Sequence, residues 1–200
     1  YGVHHANRHR SSNRDPIGPG TTVEYGDVFD IMGNTVLATE HHDFNPWFKY
    51  LLHWLPEESV LTATGPGMYR IYRFDEEDAN PNLPLALKVP RRDEASDYWI
   101  GYRRAFPQLA NAAYVAWGFE ENRNSILLDM RTPWINPLDA GLTVGRTFHD
   151  SAAAVSLRPV ATGTDETGRS FLDVEVKMIE APVITEQPRE HQKIEPGGVL

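Results

Sequence analysis

The chain has 200 residues, 40% of them apolar and 24% charged, which is enough to bury a core and too apolar for a disordered polymer. Its net charge is −9 with no basic run, so nucleic acid is excluded as the main partner, and no stretch nears the ~20 apolar residues of a membrane helix. It has no cysteine, which removes disulfide scaffolds, thiol catalysis and Cys-rich zinc sites, so any transition-metal site must use His and carboxylates.

The first residue is Tyr1 rather than Met, and we expect a piece of a longer protein. Residues 1–43 are rich in Gly, His, Asn and Asp with little periodicity, and "SSNRDPIGPGTT" reads as loop. Within this stretch Gly2 and His5 form G-x-x-H, and "EYGDVFDIMGN" holds Met32 and Gly33 in a turn-prone context. "TEHHDF" (residues 39–44) reads as a polar turn capping the next element, with His42 also a candidate for a substrate cleft. "NPWFKYLLHWLP" predicts a short helix over about 46–54: Asn45 is suited to the N-cap, Pro46 to the first turn, and Pro56 ends the run.

From residue 58 the pattern changes to short runs of β-branched and aromatic residues: "SVLTAT", "MYRIYRF", "LALKVP", "YWIGYRR", "AAYVAWGF" and "SILLDM". "LTVGRTF", "AAVSLRPVA" and "FLDVEVKMI" follow, the last placing Leu172, Val174, Val176 and Met178 on one face. Short strands at this spacing predict an antiparallel β-sandwich. "FDEEDANPN" reads as a solvated hairpin turn rather than a calcium loop, since it lacks EF-hand spacing. The aromatics of these runs read as core, a carbohydrate platform being the alternative. Residues 181–200 are polar and Pro-rich and read as a linker or tail. The fold class expected is mostly β with a small α+β N-terminal piece: residues 1–56, then a β-rich domain at 57–180.

The order "HHAN", a polar loop, "EYGDVFDIMGN" and "FNPWFKYLLHWLP" resembles the gametolysin (autolysin-like) metalloprotease family and its secreted bacterial relatives, with His53-Trp54-Leu55 where that family has Gly-Trp-Leu. These are metzincins, whose signature is H-E-x-x-H-x-x-G-x-x-H followed by a Met-turn. The resemblance implies the C-terminal subdomain of a metzincin-like protease in residues 1–56. It makes Gly2 the helix-ending glycine, His5 the third zinc ligand, and Met32 with Gly33 the Met-turn. Glu24, Tyr25 and Asp27 are structural supports in this register. The general-base glutamate and two ligands fall before Tyr1, so no catalytic residue is expected in this chain and the fragment is expected to be inactive. Zn2+ is the implied cofactor, with calcium a weaker candidate. The implied partners are a protein or peptide substrate and further domains of the same secreted chain. His9 stands four residues after His5, ligand spacing on a helix, but a helix there conflicts with the glycine break. Without the resemblance His5 reads as a solvated or capping histidine, and the chain as a non-catalytic β-sandwich adhesion or recognition module.

Overall fold

A computed structural model describes residues 2–34, 43–91, 95–103, 105–132 and 136–178. It is mostly β, with two sheets and, among the described residues, one α-helix. The first sheet takes β1 (Ala6–Ser11), β2 (Gly20–Val23), β3 (Val60–Thr62), β5 (Ala86–Val89), β6 (Ser96–Gly101), β7 (Ala112–Phe119), β8 (Ser125–Leu128) and β9 (Leu142–Thr143). Its order is β2-β1-β8-β7-β6-β5-β3, with β9 paired to one end of β7. The second sheet is β10-β11-β12-β4, from Phe148–Asp150, Val155–Thr164, Ser170–Met178 and Gly67–Tyr72 respectively.

The central strands of the first sheet are buried on both faces, and successive residues show it. Tyr98 and Ile100 of β6, and Ala113 and Val115 of β7, face the second sheet and pack with Leu157, Leu172, Val174 and Val176. Trp99 faces the other way, onto the helix α1 (Pro46–Leu51), where it joins Trp47, Phe48 and Ala6. Tyr114 and Ala116 share that reverse side with Phe29, Phe106 and Leu109. A strand enclosed on both sides reads as a continuous apolar run, which is why "AAYVAWGF" and "SILLDM" do not alternate. Residues on either side of position 56 thus share one sheet and its covering layers.

Helix α1 starts as the sequence predicts: the Asn45 side chain accepts from Phe48 N (3.0 Å) and Pro46 occupies the first turn. It ends at Leu51, and His53 takes a left-handed backbone (φ 57°) that turns the chain toward Pro56. The second sheet also follows the sequence, with Leu172, Val174 and Val176 buried on one face.

Four expectations need correction. Residues 20–23 are strand, not loop: they pair antiparallel with β1 from Arg8↔Val23 to Ser11↔Gly20, and their polar composition reflects an exposed outer position. Ser11, in the same expected loop, ends β1. The architecture is not purely antiparallel, because β1 runs parallel to β8 and β3 parallel to β5. Parallel neighbours need a long excursion between them, and β4, which lies in the other sheet, provides it for β3 and β5. For the same reason residues 74–82 form a crossover between sheets and not a hairpin turn. Finally, the 142–148 run splits into β9 and β10 at Gly145, whose φ of 87° sends the chain from one sheet to the other.

Two tryptophans of the helical segment separate burial from composition. Trp47 is 1% exposed and Trp54 is 55% exposed. Trp47→Ala is expected to lower the free energy of unfolding by about 3–5 kcal/mol and Trp54→Ala by under about 1 kcal/mol, measured by urea titration.

Candidate functional site

The N-terminal segment and the Met32 turn are sewn together by backbone. Ala6 N donates to Met32 O (2.9 Å) and Ala6 O accepts from Asp27 N (3.2 Å). The turn itself is tied by carboxylates: Asp27 Oδ1 accepts from Phe29 N (2.9 Å) and Asp30 Oδ1 from Met32 N (2.7 Å). Its mouth is closed by Gly33 N donating to Asp30 O (3.0 Å) and Asn34 N to Asp27 O (3.1 Å). A Cβ on Gly33 would lie 1.9 Å from Asp27 O, so only glycine fits there. Gly2, at the start of the described chain, has φ 81°, a left-handed conformation that suits the residue ending a helix.

His5 is held at both ring nitrogens. Nδ1 lies 2.8 Å from Glu24 Oε1 and Nε2 lies 2.6 Å from the Tyr25 hydroxyl. An ionised carboxylate can only accept, so Nδ1 donates to Glu24, while Nε2 and the Tyr25 hydroxyl share the second hydrogen bond. The two rings stack with centroids 3.8 Å apart. Tyr25 reaches this position through a left-handed backbone (φ 55°), with its N–H donating to Asn7 Oδ1 (3.1 Å). A bulky residue in that conformation is uncommon and strained. Glu24 and Tyr25 therefore act on the imidazole, while Asp27 acts on the Met32 turn. The Met32 side chain packs with the Trp47–Phe48 cluster. Backbone contact brings the two motif segments together, and the imidazole and thioether have different neighbours.

The remaining sequence candidates are dispersed. His4 is exposed. His9 lies on strand β1, where Nε2 donates to Gly18 O (2.8 Å) and the ring rests 5.6 Å from that of Trp117. Glu40, His41 and His42 lie outside the described residues. Asp43, on the entry to α1, accepts from Phe44 N (2.8 Å) and pairs with the ammonium of Lys49 in the helix's last turn. Tyr98, Trp99, Tyr102 and Tyr114 are all buried, as core. Among the described residues no group of three or more His, Asp or Glu could hold a metal ion.

Behind the turn lies a buried ionic network that sequence patterns do not reveal. Arg103, fully buried, donates to Phe29 O (2.6 Å) and Asp43 O (3.3 Å) and pairs with Asp75 at 3.6 Å. The Tyr114 hydroxyl donates to Asp27 Oδ2 (2.5 Å) and Asn45 N donates to Asp30 Oδ2 (2.5 Å). Burial, reinforced by the neighbouring Asp27 carboxylate, raises the Asp30 pKa to about 7 against the opposing pull of two backbone N–H groups and Arg103. Burial and the same two acids push the Tyr114 phenol well above its ordinary value. The one local hint was an arginine directly after an apolar run.

No family model matches the chain, and no curated protein or solved structure shows significant similarity to it.

The Asp30 carboxyl binds its proton more tightly in the folded chain than in the unfolded one, where it titrates near 3.8. Between about pH 4 and pH 7 the folded state thus carries the extra proton, and this contribution to stability falls as pH rises through that interval. Asp30→Asn is expected to flatten the dependence of the urea midpoint on pH between 5 and 8. Parallel profiles for variant and wild type would count against a buried, proton-holding Asp30.

Proposed function

We propose that the chain is the C-terminal part of a secreted, zinc-dependent metalloendopeptidase of the gametolysin-like metzincin type, with His5 as one of three metal-binding imidazoles. The observation that carries this reading is the Ala6 N–Met32 O bond, which joins the Gly2-x-x-His5 segment to the methionine turn. Two features support it. Gly2 has the left-handed backbone that the motif asks of its helix-ending glycine. The Glu24 carboxylate fixes the proton on His5 Nδ1, as outer-shell carboxylates do for ligand histidines, leaving the Nε2 lone pair as the donor.

His5 would fill one coordination position through Nε2, the nitrogen that the Tyr25 hydroxyl contacts in this structure. The other two imidazoles and the general-base glutamate belong to the H-E-x-x-H element that the motif register sets upstream of Tyr1. When bound, zinc supplies a Lewis acid that acidifies water and polarises the scissile carbonyl of a protein substrate. The residues of this chain have supporting roles. Glu24 keeps the imidazole in one tautomer and one orientation. The Tyr25 ring covers one face of the imidazole. Asp27, Asp30 and Gly33 hold the turn against which the His5 segment is pinned, and the twice-covered sheet gives that turn a rigid backing.

The test uses the full-length parent including its H-E-x-x-H segment. His5→Ala is expected to abolish stoichiometric zinc, by elemental analysis, together with peptidase activity. Glu24→Gln should weaken zinc binding about 10–100-fold with an unchanged circular dichroism spectrum. Full zinc occupancy in His5→Ala, or peptidase activity in the 200-residue chain alone, would overturn the reading.

A further inference from the structure

The hairpin between β7 and β8 closes with Phe119 N donating to Asn124 O (3.1 Å), and its residue Arg123 has φ 53°. A left-handed position in a hairpin suits glycine or asparagine. Asparagines stand on both sides of it, at 122 and 124, yet the position itself holds an arginine. A long side chain there is uncommon and gains the hairpin nothing. The reason for it lies in what Arg123 reaches.

Strands β1 and β8 run parallel with Ala6 opposite Ser125. Two residues back along both, His4 N donates to Arg123 O (3.4 Å), so the ladder extends past the start of β1 onto the hairpin. The guanidinium carries the contact further. Its Nη2 donates to Leu51 O (3.3 Å) at the C-terminal end of α1, where a cation meets the helix's unpaired carbonyls. The same Nη2 lies 3.8 Å from the place a Cβ on Gly2 would take, so the guanidinium lies alongside that glycine. Val3, between these contacts, packs onto the Trp47–Phe48 cluster. The hairpin is itself pinned to α1, because Trp47 Nε1 donates to Asn124 O (3.0 Å). Arg123 thus joins three elements at the point where the His5 segment enters the sheet.

We propose that Arg123 is a positioning residue for His5. It moors residues 2–4 to the end of α1 and fixes the imidazole from upstream, as the Ala6 bonds to the Met32 turn fix it from downstream. A segment held at one end pivots, whereas one held at both ends presents its side chain in a single direction. That direction keeps Nδ1 on Glu24. Gly2 has no side chain with which to anchor itself, so the mooring comes from across the sheet. The consequence for metal binding rests on the proposed role of His5 as a ligand, since outer-shell groups act by orienting the imidazole; the consequence for the ring's orientation does not.

The test follows the imidazole nitrogen resonances of the 200-residue chain at about pH 8, where a neutral ring reports which nitrogen carries the proton. Glycine accepts a left-handed position at no steric cost, so Arg123→Gly removes the guanidinium without penalising the hairpin. In this variant His5 is expected to lose its Nδ1–H form and move to the mixed tautomers of a free imidazole. His9, on the same strand with Nε2 donating to Gly18 O, is the internal control and should keep its shifts. Unmoved His5 resonances, or equal changes at His5 and His9 from a general loosening, would overturn the proposal. In the full-length parent the variant should bind zinc about tenfold more weakly, measured by competition with a chelating dye. Unchanged zinc affinity there would also overturn it. A parent that binds no zinc with Arg123 intact overturns the metal reading instead, and the His5 resonances then decide the positioning role alone.

Discussion

Ala6 commits both of its backbone groups to the turn at 27–33, while its methyl is closed inside the helix cluster and its strand runs along β8. Because β1 is a strand of the large sheet, anything attached to it inherits the sheet's rigidity, and the His5 imidazole is attached one residue away. The turn cannot shift without breaking the Ala6 bonds, and the small Asp27–Gly33 gap admits no side chain. The candidate site is therefore an extension of the sheet's own geometry and not a loop resting on it.

The second constraint is electrostatic. Asp27 and Asp30 of the turn and, behind it, Asp75, Arg103 and the Tyr114 phenol have almost no exposed side-chain surface. An excess of buried carboxylates over cations is costly unless one holds a proton or each is well bonded, and here both remedies operate. Asp27 is bonded to Tyr114 and to the backbone of its own turn, while Asp30 keeps its proton near neutrality. Arg103 spreads its charge over two carbonyls and Asp75 and faces the rings of Phe74 and Phe106. Such a network orders the polypeptide more than it stabilises it, since each bond fixes a direction.

The strands after residue 58 were legible because their apolar runs are long enough to be enclosed, and residues 112–119 form a strand over the whole predicted run. β1 and β2 were not. β1 carries Arg8, His9 and Arg10 and owes its conformation to pairing with β8, more than a hundred residues away, and its inward Arg8 is made tolerable by Asp129. Local composition cannot encode that kind of support. The helix start was readable from Asn45 and Pro46 because capping is a short-range effect. At the site, the sequence grouped Gly2, His5 and Met32 by resemblance, and the backbone bond to Met32 comes from Ala6, next to His5. The Glu24–His5–Tyr25 contact went unread because it depends on a left-handed tyrosine, and no side-chain pattern announces a strained backbone.

The two outer strands of the large sheet, β2 and β3, have only four and three residues, and Gly20, Thr21 and Thr22 of β2 are exposed. A ladder that short offers an incoming strand few hydrogen bonds, and its polar side chains give no apolar reward for stacking. Copies of this chain at high concentration should accordingly resist fusing through the edges of this sheet, despite an interior rich in aromatic β-structure.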